Sequence, residues 1–183
     1  MTGGPMPTAK DPDAAPQASR PPISWPMLWR GLAAALVVVI LDQVSKLAIL
    51  RFFEGMLDQH YEVLPVFDLR LTFNHGITFG LFNNGDTANA VIFSALALAI
   101  VAALLVALTR VTAWHNALAL GMIIGGALGN MADRLRLDAV VDFLDFHLGD
   151  HHFYIFNVGD SAICIGVGLL LLDSLLIRAE SPK

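Results

Sequence analysis

Residues 28–50 read LWRGLAAALVVVILDQVSKLAIL. An apolar run of this length spans the hydrocarbon core of a bilayer, which takes about 20 helical residues. Near its far end it carries Asp42 and Lys46, two charges one helical turn apart. Three more runs of the same character follow, at 88–108, 114–131 and 160–177. Charged residues make up only 15% of the chain, where soluble domains carry roughly 25%, and mean hydropathy is +0.64. Both point to lipid as the solvent. The fold expected is an all-α membrane protein of four transmembrane helices. The net charge of −5 argues against a nucleic-acid partner.

The flanks are different material. Residues 1–27 are rich in proline, alanine and small polar residues, too poor in apolar surface to offset chain entropy, and read as a disordered arm. They have no apolar core of their own, so they are not a secretory signal. The chain thus divides into an arm (1–27), a four-helix transmembrane domain (28–178) and a short tail (179–183). Lys10, Arg20, Arg30, Arg110, Arg178 and Lys183 fall on one side of the spans, and Arg51, Arg70, Arg134 and Arg136 on the other. The excess of cations marks the cytoplasmic side, which places both termini there. In the first outer loop, residues 67–73 alternate apolar and polar, the period of a strand. A small β element on the outer membrane surface is expected.

Ionisable residues within a span are costly and point to function. Asp42 and Lys46 share a helix face and can pair. Such a pair either locks the first helix into the bundle or helps to hold a substrate, and Lys46 has the further option of snorkelling to the surface. Gly121, Gly125 and Gly129 form a small-residue face suited to close helix packing. Asn130, Asp133 and Arg134 follow at the outer end of the third span, and Asn157 and Asp160 open the fourth. A carboxylate there is also a simple helix cap. Asp142 lies within Val140-Val141-Asp142-Phe143-Leu144-Asp145-Phe146, where apolar neighbours disfavour its ionised form. Topology alone therefore gathers Asp42, Lys46, Asn74, Asn130, Asp133, Arg134, Asp142, Asn157 and Asp160 at one side of the bilayer.

The residue types limit the chemistry. No Gly-x-Ser-x-Gly surrounds Ser161 or Ser174, and there is no His-Glu-x-x-His. His147, Asp150, His151 and His152 cluster, but read as a solvated loop. The lone Cys164 reads as a small buried apolar residue. Carboxylates remain. Two close together share one proton, so that one activates water while the other polarises a peptide carbonyl. The rival readings are a transporter or proton relay using Asp42, Lys46 and Asp173, and a scaffold built on the glycine face. Transport fits less well, because the polar groups gather at one surface.

Five blocks in order carry a resemblance to a known family. They are Asp42-Gln43-Val44-Ser45-Lys46, Asn74-His75-Gly76-Ile77-Thr78-Phe79-Gly80, the run from Gly125 to Arg134, Val140-Val141-Asp142-Phe143, and Phe156-Asn157-Val158-Gly159-Asp160. The chain resembles the lipoprotein signal peptidases, also called signal peptidase II. The resemblance implies a bacterial inner-membrane aspartic endopeptidase. It cleaves diacylglyceryl-modified prolipoproteins just before the lipidated cysteine, near the periplasmic face, as a monomer in contact with membrane lipid. It implies Asp142 and Asp160 as the catalytic pair. Asp42, Lys46, Asn74, Asn130, Asp133, Arg134 and Asn157 would line or support the site, with no cofactor and no metal. Ile77 and Thr78 stand where the family usually carries small residues, often alanine, and Gly159 stands where alanine is common.

Overall fold

The computed structural model describes residues 23–76 and 87–180. The proline-rich arm as far as Pro22, the Ile77–Gly80 part of the second block and the last three residues lie outside the described residues. Four helices are present: α1 (Trp25–Phe52), α2 (Thr87–Leu108), α3 (Trp114–Leu137) and α4 (Val158–Glu180). Between them lie strands β1 (His60–Leu64), β2 (Phe67–Asn74), β3 (Val140–Leu148) and β4 (His151–His152). Among the described residues three helices are long and apolar enough to cross a membrane: α1, α2 over Ala90–Leu108 and α4 over Val158–Leu176. The chain is thus mainly helical, with three candidate spans and a small antiparallel sheet.

The helices bury their small and polar residues and expose their large apolar ones. On α1 the inward stripe is Gly31, Ala35, Val38, Asp42, Lys46 and Ile49, at the spacing of one helix face. The outward face holds Leu36, Val37, Ile40, Leu41 and Val44, each more than half exposed. In water this arrangement would be costly. In lipid it is the expected one, because the solvent itself is apolar and helix contact depends on close packing.

Helix α3 packs against all three others, and its glycines explain how. A Cβ on Gly121 would collide with the Gly31 carbonyl of α1, and one on Gly126 with the Gly159 carbonyl of α4. A Cβ on Gly129 would strike the Asp42 carboxylate. The glycine stripe is therefore a packing face, and at Gly129 it also makes room for a charged group. Towards the opposite end, Ala35, Val101, Leu108, Ala117, Leu120 and Ile124 close an apolar core between α1, α2 and α3.

The sheet has strand order β1-β2-β3-β4. The expected strand at 67–73 is β2. β3 was not expected, because Val140–Phe143 are all buried and a strand covered on both faces has no apolar–polar alternation. A one-residue bulge in β2 shifts the register between Leu69, opposite Leu144, and Thr72, opposite Asp142. In a ladder continued regularly from Leu69, Leu71 would face Asp142. With the bulge, Thr72 and Asn74 share the Asp142 side, since residues two apart point to one face. Ile49 and Phe53 of α1 pack on Val141 and Phe143 and fasten the sheet to the bundle.

Candidate active site

The C-terminal halves of α1 and α3, the start of α4 and the β2–β3 pair meet at one end of the molecule. Asp42, Lys46 and Asp133 are fully buried there. Lys46 Nζ lies 2.8 Å from Asp42 Oδ2 and 2.9 Å from Asp133 Oδ2, and donates to Asn130 Oδ1 at 2.8 Å. All three ammonium hydrogens thus have an acceptor. Lys46 does not snorkel, because two carboxylates draw it inward. Asp133 Oδ2 also accepts from the Val141 amide at 3.2 Å, which ties α3 to β3. Gln43 Nε2 bridges Asp42, the Gly129 carbonyl and Asp133, each at 3.1 Å.

This charged cluster holds the start of α4. Asp42 Oδ1 accepts from the Gly159 amide at 2.8 Å, placing a carboxylate on a helix N-terminus. Asn157 is the residue before the helix, and its Oδ1 accepts from the Asp160 amide at 2.9 Å. Asp160 Oδ2 accepts in return from the Asn157 amide at 3.3 Å. The two form a reciprocal cap, so the cap reading of Asp160 holds for one of its oxygens. The other, Oδ1, accepts from Asn130 Nδ2 at 2.8 Å.

Asp142 sits beside this cap. Asn157 Nδ2 donates to its Oδ1 at 2.6 Å and Asn74 Nδ2 to its Oδ2 at 3.1 Å. Asn157 Nδ2 also donates to Asn130 Oδ1 at 3.2 Å. Asn157 and Asn130 therefore link Asp142 to Asp160, with Lys46 behind them. Burial first, and then the neighbouring Asp160 carboxylate, push the Asp142 carboxyl up to about 7, against the hydrogen bonds from Asn74 and Asn157 and the charge of Lys46. Asp142 therefore holds its proton at weakly acidic pH and is about half-protonated near neutrality. Arg134 donates to the Gly76 carbonyl at 3.1 Å and lies 5.7 Å from the Phe93 ring centre. A cavity of about 360 Å³ opens beside Asp160, lined by Tyr154, Phe156, Asp160, Ser161, Ile163 and Cys164. Cys164 is exposed and lines this cavity, contrary to the buried position expected of it.

All nine residues singled out in the sequence thus meet in one network, Arg134 through the Gly76 carbonyl. Three members were overlooked: Arg136, which donates to Asp133 Oδ1 at 3.3 Å, Gln43 and Tyr154. Gln43 lies between Asp42 and Lys46, where its reach to Asp133 depends on α3. Tyr154 accepts from Asn74 Nδ2 at 2.6 Å, and nothing in its local sequence marks it. Asp173, by contrast, is far from this network. It accepts from Asn116 Nδ2 and lies on His115 Nε2, both at 2.8 Å, and clasps α4 to the start of α3.

The histidines form separate structural pairs. Asp68 and Asp145 face each other across β2 and β3, a repulsive register compensated on both sides. His60 and His147 contact Asp68 at 2.8 and 3.1 Å, while Arg70 and His152 contact Asp145 at 3.0 Å each. The hydrogen bond from His60 holds the Asp68 carboxyl below its usual range, against burial. Among the described residues no three His, Cys, Asp or Glu side chains are grouped to hold a metal.

Residues 34–176 match the family described as signal peptidase (SPase) II. The chain is 38% identical over 161 residues to a lipoprotein signal peptidase of Coxiella burnetii (strain RSA 331 / Henzerling II), covering 87% of this chain and 95% of the relative. It is 43% identical over 159 residues to a lipoprotein signal peptidase of Rhodopseudomonas palustris (strain ATCC BAA-98 / CGA009), covering 83% and 96%. Among solved structures, a bacterial membrane enzyme determined by the in meso method at 2.3 Å resolution superposes with a TM-score of 0.71 at 28% identity, covering 84% of this chain and 91% of the other.

Proposed function

Because the chain belongs to the signal peptidase II family, we propose that Asp142 and Asp160 are the catalytic pair with which it removes the signal peptide from diacylglyceryl-modified prolipoproteins, cutting before the lipidated cysteine. The observation that carries this is the pairing of two carboxyls through Asn157 and Asn130 beside a cavity, with Asp142 raised to about 7. Protonated Asp142 donates to the scissile carbonyl oxygen while ionised Asp160 takes a proton from the attacking water. The tetrahedral intermediate then collapses as a proton passes to the departing amine. Neither step requires a metal or cofactor.

The remaining residues hold the pair in place. Asp42 and Asn157 anchor the start of α4, Lys46 and Asn130 supply positive potential behind both carboxyls, and Asp133 fixes β3. Arg134 braces the end of β2. The fourth span is α3, sheltered by the other helices and so free to carry glycines and polar residues. The enzyme sits in the bacterial inner membrane as a monomer with both termini cytoplasmic and the pair near the periplasmic face. There a lipid-anchored cysteine holds the scissile bond at matching depth, and the apolar cavity beside Asp160 faces membrane lipid.

The test is cleavage of a diacylglyceryl-modified prolipoprotein by the purified protein in detergent. Asp142→Asn and Asp160→Asn, each verified as folded, lose about a thousandfold or more of the wild-type rate, as expected for removal of an acid or base. Cleavage surviving in either variant would move the chemistry to other residues.

A further inference from the structure

Tyr154 lies between β4 and α4, half-buried, and touches the site on two sides. Its hydroxyl oxygen accepts from Asn74 Nδ2 at 2.6 Å, and the same nitrogen donates to Asp142 Oδ2 at 3.1 Å. An amide nitrogen has two hydrogens, and here each has an acceptor. The Gly76 amide donates to Asn74 Oδ1 at 3.1 Å, and with it the shorter contact to the phenol sets the rotation of the Asn74 amide and so the direction of the hydrogen bond to Asp142. On its other side the Tyr154 ring lines the cavity beside Asp160.

We propose that Tyr154 is a positioning residue for the aspartate pair: its phenol oxygen orients Asn74, and Asn74 in turn orients Asp142. This rests on the reading of Asp142 and Asp160 as the catalytic pair. Burial, with Asp142 and Asp160 adding to it, pushes the phenol up to about 12, so Tyr154 stays protonated and does not compete with the pair for its proton. The charged groups facing Asp142 are Asp160 from α4, Lys46 with its partner Asp42 from α1, and Arg134 and Asp133 from α3. None of them is altered by replacing the phenol with a phenyl ring.

In Tyr154→Phe the amide of Asn74 loses its shortest contact and is held only by Asp142 and by the Gly76 amide on its Oδ1, each at 3.1 Å, which loosens its aim. The hydrogen bond that favours the ionised form of Asp142 is then weakened, which raises the Asp142 pKa further. Cleavage assays across pH are expected to show kcat lowered about tenfold, the scale of a slight misplacement of a reacting group. KM is unchanged, because the ring remains. The alkaline limb of the kcat profile moves to higher pH. In an Asn74→Ala background the same change has no further effect, because the residue it acts through is gone. An unchanged kcat and pH limb in Tyr154→Phe would overturn the proposal. So would an effect on KM alone, which would make Tyr154 only a cavity wall, or full additivity with Asn74→Ala. Asp142→Asn is assayed in parallel. Cleavage by that folded variant would defeat the catalytic reading itself, whereas its inactivity beside an unaffected Tyr154→Phe defeats only the positioning role.

Discussion

Lys46 is a long cation with no exposed surface, held between two carboxylates that are equally buried. Desolvating three charges is expensive, and the cluster is tolerable because every ammonium hydrogen is satisfied. Lys46→Met keeps the volume but leaves Asp42 and Asp133 facing each other with only the partly exposed Arg136, 3.3 Å from Asp133, to offset them. It should destabilise the protein by about 3–5 kcal/mol, read as a lower unfolding temperature in detergent. Asp142 has a different signature. Its carboxyl is raised from an ordinary 3.8 to about 7, so between those values the folded protein binds more protons than the unfolded one. Its contribution to stability is present at low pH and is lost as pH rises from about 4 to about 7. Asp142→Asn should remove that slope, and thermal melts of both proteins from pH 4 to 8 would reveal it. Activity follows the same proton. The rate should fall above about pH 7, approaching about tenfold per unit, as the pair loses the proton it shares. A rate still rising through pH 9 would show that Asp142 does not hold it.

At the scale of elements, the bulge in β2 decides what faces Asp142. Its extra residue puts Thr72 opposite Asp142 and Asn74 on the same side, where Asn74 makes its 3.1 Å hydrogen bond. Inserting an alanine between Phe73 and Asn74 should keep Thr72 opposite Asp142 but carry Asn74 one place along the strand, to the opposite face. Cleavage should then fall about as far as in Asn74→Ala, while helix content by circular dichroism stays at the wild-type level. Retained activity would mean that the strand takes up the added residue in a further bulge. The same scale explains why β3 is hard to read in a sequence. Val140, Val141, Asp142 and Phe143 are buried on both faces, between α1 on one side and the polar network on the other, so the two-residue period that marks β2 is erased. For α1, α2 and α4 length and hydropathy, which are local properties, suffice, whereas α3 is not among the candidate spans and runs to Leu137, beyond the span expected at 114–131. That extra length carries Asp133 and Arg134 on the helix, up to the sheet.

For the whole molecule, the buried polar stripe and the exposed apolar faces fit a lipid-embedded bundle, and the proposed orientation follows from cation bias in the flanks. Alkaline phosphatase fused after Lys183 should therefore be inactive in cells and a fluorescent protein fused there bright, and the opposite pattern would reverse the orientation. The sequence by itself determined that the chain is built of membrane-length helices and which polar residues lie at one end of them, because hydropathy, charge and order along the chain are properties of short segments. It also carried the family blocks. Only the tertiary structure decided the partner of each polar group. Asn74, Asn130 and Asn157 are chemically alike, and so are the aspartates. Which amide reaches which carboxylate depends on a one-residue bulge, on glycines that let α3 approach α1 and α4 to backbone contact, and on a capped helix end. Those are distances between segments far apart in the chain, and no local pattern encodes them. Tyr154 and Cys164 follow the same rule: folding brings both to the wall of one cavity.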